Sequence, residues 1–155
     1  MSVAGISSDK EWSPPVFTEK DYYVGQKIAD NEYRRSKFEA EGLVLEAVEK
    51  GLNARVFRVG TLTGRYSDGK FQLHPEKNAF ANRLKSFLSI AAVPESMLSQ
   101  SVEMTPVDLC AKAIVGICAS QTAKNLIYHI YNTSQIPAEM CIRDSLCTLS
   151  CFLMM

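Results

Sequence analysis

The chain has 155 residues, is 46% hydrophobic, and balances 17 Lys+Arg against 17 Asp+Glu, which is about one domain's worth with enough apolar side chains for a core. The even charge, with no basic run and no interleaving of basic and aromatic residues, excludes a nucleic-acid surface. No stretch reaches the roughly 18 consecutive apolar residues of a membrane span, and the segment Met1-Ser2-Val3-Ala4-Gly5 does not resemble a signal peptide; a cytoplasmic protein without membrane or nucleic-acid partners is expected.

Residues 1–32 lack periodicity and are rich in turn formers such as Ser13-Pro14-Pro15, so they read as a loop. Its aromatic residues Trp12, Phe17, Tyr22 and Tyr23 could close over a cleft or pack on the surface. A long helix follows. Asp30 or Asn31 can cap its start and Gly51 can close it after Lys50. Its first turns carry Tyr33-Arg34-Arg35-Ser36-Lys37-Phe38-Glu39-Ala40-Glu41. Positions i and i+4 are neighbours on a helix, so Tyr33 and Lys37 meet on one face, which Ala40, Val44 and Val48 continue. An ammonium beside a phenol favours the phenolate, and so draws the Tyr toward the range of a usable general acid. An amphipathic surface helix with a solvated Lys explains the same spacing. The spacing recurs at Tyr23/Lys27 and Tyr66/Lys70. Those pairs surround Gly25 and Gly69, and the second reads as a turn.

The run Asn53 to Gly60 is a short β-branched strand close behind the helix, and Gly60-Thr61-Leu62-Thr63-Gly64-Arg65 is a Gly-bracketed loop at its C-terminal end. Open α/β sheets place their ligands at that edge. The loop lacks the Lys-Ser/Thr ending of a P-loop, so by itself a strand-terminating turn explains it better than a phosphate loop does. Phe80, Leu84, Phe87, Leu88 and Ala91 have helical spacing between Asn78 and Ala92. Val102-Glu103-Met104 suggests a brief strand. Thr105-Pro106-Val107-Asp108 opens another helix, with Thr105 at the N-cap, Pro106 at the first position and Asp108 at the third; Cys110, Ala113, Ile114 and Ile117 form its buried stripe. The five Cys are an odd number without metal-ligand spacing, and Cys110 and Cys118 read as small buried hydrophobes. Leu126 to Tyr131 is a strand carrying His129, for which a structural or surface role is expected, as for His74 in its loop. From about Ala138 the pattern breaks down. Met140-Cys141-Ile142-Arg143-Asp144-Ser145 looks like translated sequencing-adapter read-through, with a genuine apolar terminal segment as the alternative. Residues 138–155 are therefore set apart as a non-native tail.

With these elements in order, the chain resembles the C-terminal part of an extended short-chain dehydrogenase/reductase, and more narrowly the thioester reductase domains of nonribosomal peptide synthetases and carboxylic acid reductases. The resemblance rests on Tyr33 to Glu41, on Phe57-Arg58-Val59-Gly60-Thr61-Leu62-Thr63-Gly64-Arg65, and on Glu103-Met104-Thr105-Pro106-Val107-Asp108. It implies an α/β fold, the later part of a Rossmann-like parallel sheet with flanking helices, over residues 1–137. It also implies NADPH as cofactor and a phosphopantetheine-bearing carrier domain, with its acyl or peptidyl thioester, as partner. Tyr33 would protonate the developing oxyanion, Lys37 would hold the nicotinamide ribose, and Val59, Gly60 and Thr61 would approach the nicotinamide. Related enzymes often have Asn where Thr61 stands.

Two parts of the family's site have no counterpart in the sequence: a Ser/Thr expected just before the Met1 to Gly5 segment, and a Gly-rich turn for the pyrophosphate. The resemblance thus implies a fragment that does not catalyse alone. The alternatives are a sugar-nucleotide epimerase or dehydratase of the same superfamily, which shares the Tyr-Lys pair, and a non-catalytic module that binds a carrier domain.

Overall fold

The computed structural model describes residues 2–3, 17–26, 28, 31–90, 95, 101–134 and 136–137. Trp12, Lys27, Asp30, Ala91 and residues 138–155, to which several expectations attach, lie outside these. Strand β1 (Ser2–Val3) precedes helix α1 (Glu32–Glu49), which leads into β2 (Val56–Val59) and β3 (Leu62–Thr63). A 3-10 turn (Pro75–Lys77) precedes α2 (Ala79–Ile90). Then come β4 (Ser101–Val102), β5 (Thr105–Pro106), α3 (Val107–Ala119), β6 (Ile127–Ile130) and β7 (Ile136–Pro137).

The central sheet is parallel, in the order β1-β2-β6, with Ser2 opposite Arg58 and Val59 opposite Ile130. The expectation that residues 1–32 form only a loop is thus corrected at Ser2–Val3, where backbone pairing with β2 overrides a sequence rich in turn formers. A second parallel pair joins β3 to β5, so the Gly60–Arg65 segment is not loop throughout. It contains a strand too short for periodicity to reveal. β4 and β7 pair antiparallel, and the expected strand at Val102 to Met104 ends at Val102.

The side chains of β2 and β6 alternate between two differently covered faces. On one, Phe57, Val59 and Ile130 form a buried cluster with Cys110 of α3, and Leu62, Ile114, Ile117 and Tyr128 pack against it. Burying each large apolar side chain there contributes about 1.5–3 kcal/mol. Burial also pushes the Cys110 thiol up from its usual range. Cys118, by contrast, is exposed, because it falls on the outer face of α3. At the end of that helix Arg55 donates to the carbonyls of Ile117 (3.1 Å) and, just beyond it, Ala123 (2.8 Å), placing a cation at the negative end of the helix dipole. On the opposite face Arg58 and His129 lie under α1 and the segment 17–21, as detailed below.

Helix α1 is capped by Asn31, whose Oδ1 accepts from the Arg34 amide at 3.0 Å, and it is closed past Lys50 by Gly51 at φ 102°. Its inner face is not the Tyr33-Lys37-Ala40 row. Glu41 is its buried residue, Ala40 is exposed, and Gly42 packs against Tyr22, whose ring lies 3.1 Å from where a Cβ would stand. The Tyr22 hydroxyl donates to the Phe38 carbonyl (2.9 Å), and the two rings stack at 4.3 Å.

Candidate functional site

Because β1 and β2 are parallel neighbours, α1 crosses over between them, running back along the sheet. Glu41 touches Arg58. Tyr33, two turns or about 12 Å nearer the helix N-terminus, therefore lies toward the C-terminal edge of the strands. The helix thus brings Tyr33 and Lys37 to the same edge of the sheet as Gly60 and Thr61, which follow β2 directly. Within the pair, Lys37 Nζ stands over the Tyr33 ring, 5.6 Å from its centroid. Tyr33 is 61% exposed and Lys37 half-buried, so the phenol is open to a ligand. Tyr66 and Lys70 instead flank a turn in which Gly69 has φ 70°, as their sequence suggests.

At the strand end, Val59 is buried and belongs to the core. Gly60 donates to the Ile130 carbonyl (3.0 Å) and Thr61 accepts from the Thr105 amide (2.8 Å). Glu103 closes this edge. Its carboxylate accepts from the amides of Thr61 (2.6 Å) and Asn132 (3.1 Å) and from the Thr105 hydroxyl. Gly60 has no room for a side chain, since a Cβ would lie 2.7 Å from Glu103 Cδ. In the sequence Glu103 stands out only as part of the Glu103 to Asp108 motif. The sequence offers only an acid two residues before Thr105, and the backbone partners of that acid are 42 and 29 residues away in the chain.

Asp108 was expected at the third position of its helix with Thr105 as cap. The helix begins at Val107 with Pro106 as cap residue, and Thr105 lies buried in β5, so both are displaced. The Asp108 carboxylate accepts from the amides of Tyr66 (2.8 Å), Ser67 (3.2 Å) and Leu109 (3.0 Å), and these bonds, led by that from Tyr66, lower its pKa to about 2. It braces the turn after β3 as well as starting α3.

Beneath α1, Arg58 is fully buried and every N–H of its guanidinium has a partner. Nε and Nη2 donate to Glu41 Oε1 (3.0 and 2.6 Å), Nη2 also to the Asp21 carbonyl (2.6 Å), and Nη1 to the Thr18 carbonyl (3.1 Å). Nη1 also lies 3.0 Å from His129 Nε2. A guanidinium only donates, so His129 accepts there as the neutral imidazole protonated at Nδ1. Burial first, and then the Arg58 charge, hold His129 below the usual imidazole range, with Glu19, Glu41 and Asp21 pulling the other way. Phe17 lies over Arg58 (4.7 Å) and stacks on His129 at 6.3 Å, while Glu19 accepts from the His129 amide (2.7 Å). Phe17 and Tyr22 thus pack down onto the sheet and α1. His129 is structural, as expected. His74 is exposed and pairs with Glu76 (3.1 Å).

A parallel sheet with crossover helices and its loops gathered at the strand C-termini defines a Rossmann-like α/β fold of the extended short-chain dehydrogenase kind. The chain belongs to the NAD-binding family described as male sterility protein, whose model matches residues 11–114. It is 29% identical over 139 residues to a glycine betaine reductase of Emericella nidulans, covering 89% of this chain and 10% of that protein. Two solved structures share its fold. A thiolation-reductase di-domain from an archaeal nonribosomal peptide synthetase is 34% identical with a TM-score of 0.82, over 96% of this chain and 32% of that one. The reductase domain of the aureusimine biosynthetic cluster is 31% identical with a TM-score of 0.79, over 92% and 39%. The chain thus corresponds to about a third of those chains and a tenth of the curated relative. Among the described residues no group of three or more His, Cys, Asp or Glu is placed to hold a metal, and no helix is long and apolar enough to cross a membrane.

Proposed function

We propose that residues 1–137 supply the proton-donating part of an NADPH-dependent reductase that releases a carrier-bound acyl or peptidyl thioester as an aldehyde or alcohol. The observation that carries this is the Tyr33-Lys37 pair, with the ammonium over the phenol ring, on a crossover helix that starts at the edge where β2 ends in Gly60–Thr61. The similarity to a thiolation-reductase di-domain supports a carrier domain as partner.

The donor set suits a nicotinamide riboside. Lys37 offers an ammonium to ribose hydroxyls, and exposed Thr61 offers a hydroxyl at the strand end. NADPH, when bound, supplies hydride to the thioester carbonyl carbon. Tyr33 gives its hydroxyl proton to the oxyanion that forms on the carbonyl oxygen, and Lys37 stabilises the resulting phenolate. Return of the hydroxyl proton of the hemithioacetal to the Tyr33 phenolate, with expulsion of the phosphopantetheine thiolate, then leaves the aldehyde and restores the phenol. No Gly-rich pyrophosphate turn occurs in these 155 residues, so turnover requires that part of the site from elsewhere in a larger polypeptide.

The test is thioester-dependent NADPH oxidation by the reductase polypeptide that carries these residues. Tyr33→Phe is expected to abolish it while carrier binding persists. Retained turnover would refute the assignment, and loss of carrier binding alone would favour a docking module.

A further inference from the structure

Resting on that reading of the edge as the nicotinamide-facing side, we propose that Glu103 is a positioning residue that aims the Gly60–Thr61 turn. Its carboxylate joins the ends of three strands, taking hydrogen bonds from Thr61 after β2, from Thr105 of β5 and from Asn132 after β6. The Thr105 hydroxyl accepts from the same Asn132 amide at 3.0 Å, which closes the network.

The consequence for Thr61 is specific. Its one N–H is committed to Glu103 and its carbonyl already accepts from the Thr105 amide, so the backbone has no donor left for a ligand. The side chain, which is exposed, is the donor that can meet one. An anionic acceptor at 2.6 Å binds an amide more strongly than a neutral carbonyl does, and Gly60 is the residue that lets the carboxylate come this close. Glu103 and Gly60 thus act as one device, a carboxylate seated against a bare Cα, that turns Thr61 outward. A turn fixed in this way sets where the nicotinamide ring lies relative to the thioester carbon, and small misplacements of reacting groups cost rate more than affinity.

Two measurements test this. In the 155-residue chain, backbone amide exchange is followed at Thr61 and Asn132, with the amides of Val56 to Val59 as internal reference. Glu103→Gln keeps the shape but removes the charge, and is expected to lower protection at Thr61 and Asn132 by about tenfold, with the reference amides unchanged. Gly60→Ala, which displaces the carboxylate without altering any charge, is expected to do the same at Thr61. Unchanged protection at Thr61 in both variants, or none there in the unsubstituted chain while β2 is protected, would overturn the proposal.

In the larger reductase polypeptide, Glu103→Gln is expected to lower kcat by about tenfold or more with KM for NADPH nearly unchanged. A rise in KM at constant kcat would overturn the positioning role. Failure of the underlying reading shows separately, as Tyr33→Phe without effect, and leaves the amide-exchange result standing by itself.

Discussion

Helix α1 takes part in two pairs of opposite character, whose residues Tyr33 and Glu41 stand eight positions apart. Near its start, Lys37 stands over a Tyr33 that is 61% exposed. Two turns on, Glu41 and Arg58 meet at 2.6 Å with both side chains sealed from solvent. The first pair is open and lightly held, free to exchange water for a ligand. The second is closed and fully engaged on the Arg side, with only Glu41 Oε2 lacking a partner among the described residues. The comparison separates two uses of charge on one helix: the charge to which the proposal gives a chemical role is left partly accessible, while the one that holds segments together is buried and saturated with partners.

The largest effect is expected from breaking the closed pair. Arg58→Met leaves Glu41 buried and uncompensated, and releases the carbonyls of Thr18 and Asp21. Urea unfolding should show a loss of about 3–5 kcal/mol. The double variant Glu41→Leu/Arg58→Met should recover a good part of this, because the isolated charge costs more than the missing pair. At the open pair the pattern inverts. Tyr33→Phe should lower thioester-dependent turnover by about 10²–10⁴-fold, yet leave the thermal midpoint of the chain nearly unchanged, since an exposed hydroxyl contributes little to stability.

A smaller effect comes from pH. The folded His129 has a depressed pKa, so below the ordinary imidazole value of about 6.5 the unfolded chain binds more protons than the folded one. Stability conferred by neutral His129 is therefore complete above that value and is lost as pH falls through it toward the folded pKa. Unfolding followed from pH 7.5 to 5.5 should show this decline, and His129→Gln should flatten it. A decline of the same size in the variant would mean another group is responsible. The smallest effect lies away from both pairs. Arg55→Met uncaps α3 and should cost about 1 kcal/mol in the same unfolding assay, without touching turnover.

The elements that were legible in the sequence are those built from local periodicity. Asn31 and Gly51 bracket α1 because capping and positive φ are local requirements, and β2, β6 and α3 follow from β-branched runs and a helical stripe. The relation of Tyr33 to Lys37 is equally local, being set by the helical repeat. The short strands escaped, because two residues carry no period: Ser2–Val3 and Leu62–Thr63 are strands through their neighbours.

What the sequence determined by itself, then, is the order of elements and the pairing of residues one helical turn apart, since both depend on interactions within a few residues. Tertiary structure alone decided which face of α1 turns inward, that Glu41 rather than an apolar residue is buried there, and that Glu103 reaches Thr61 and Asn132 across 42 and 29 residues of chain. Those contacts depend on crossover handedness and strand order, which bring together groups that no local pattern relates.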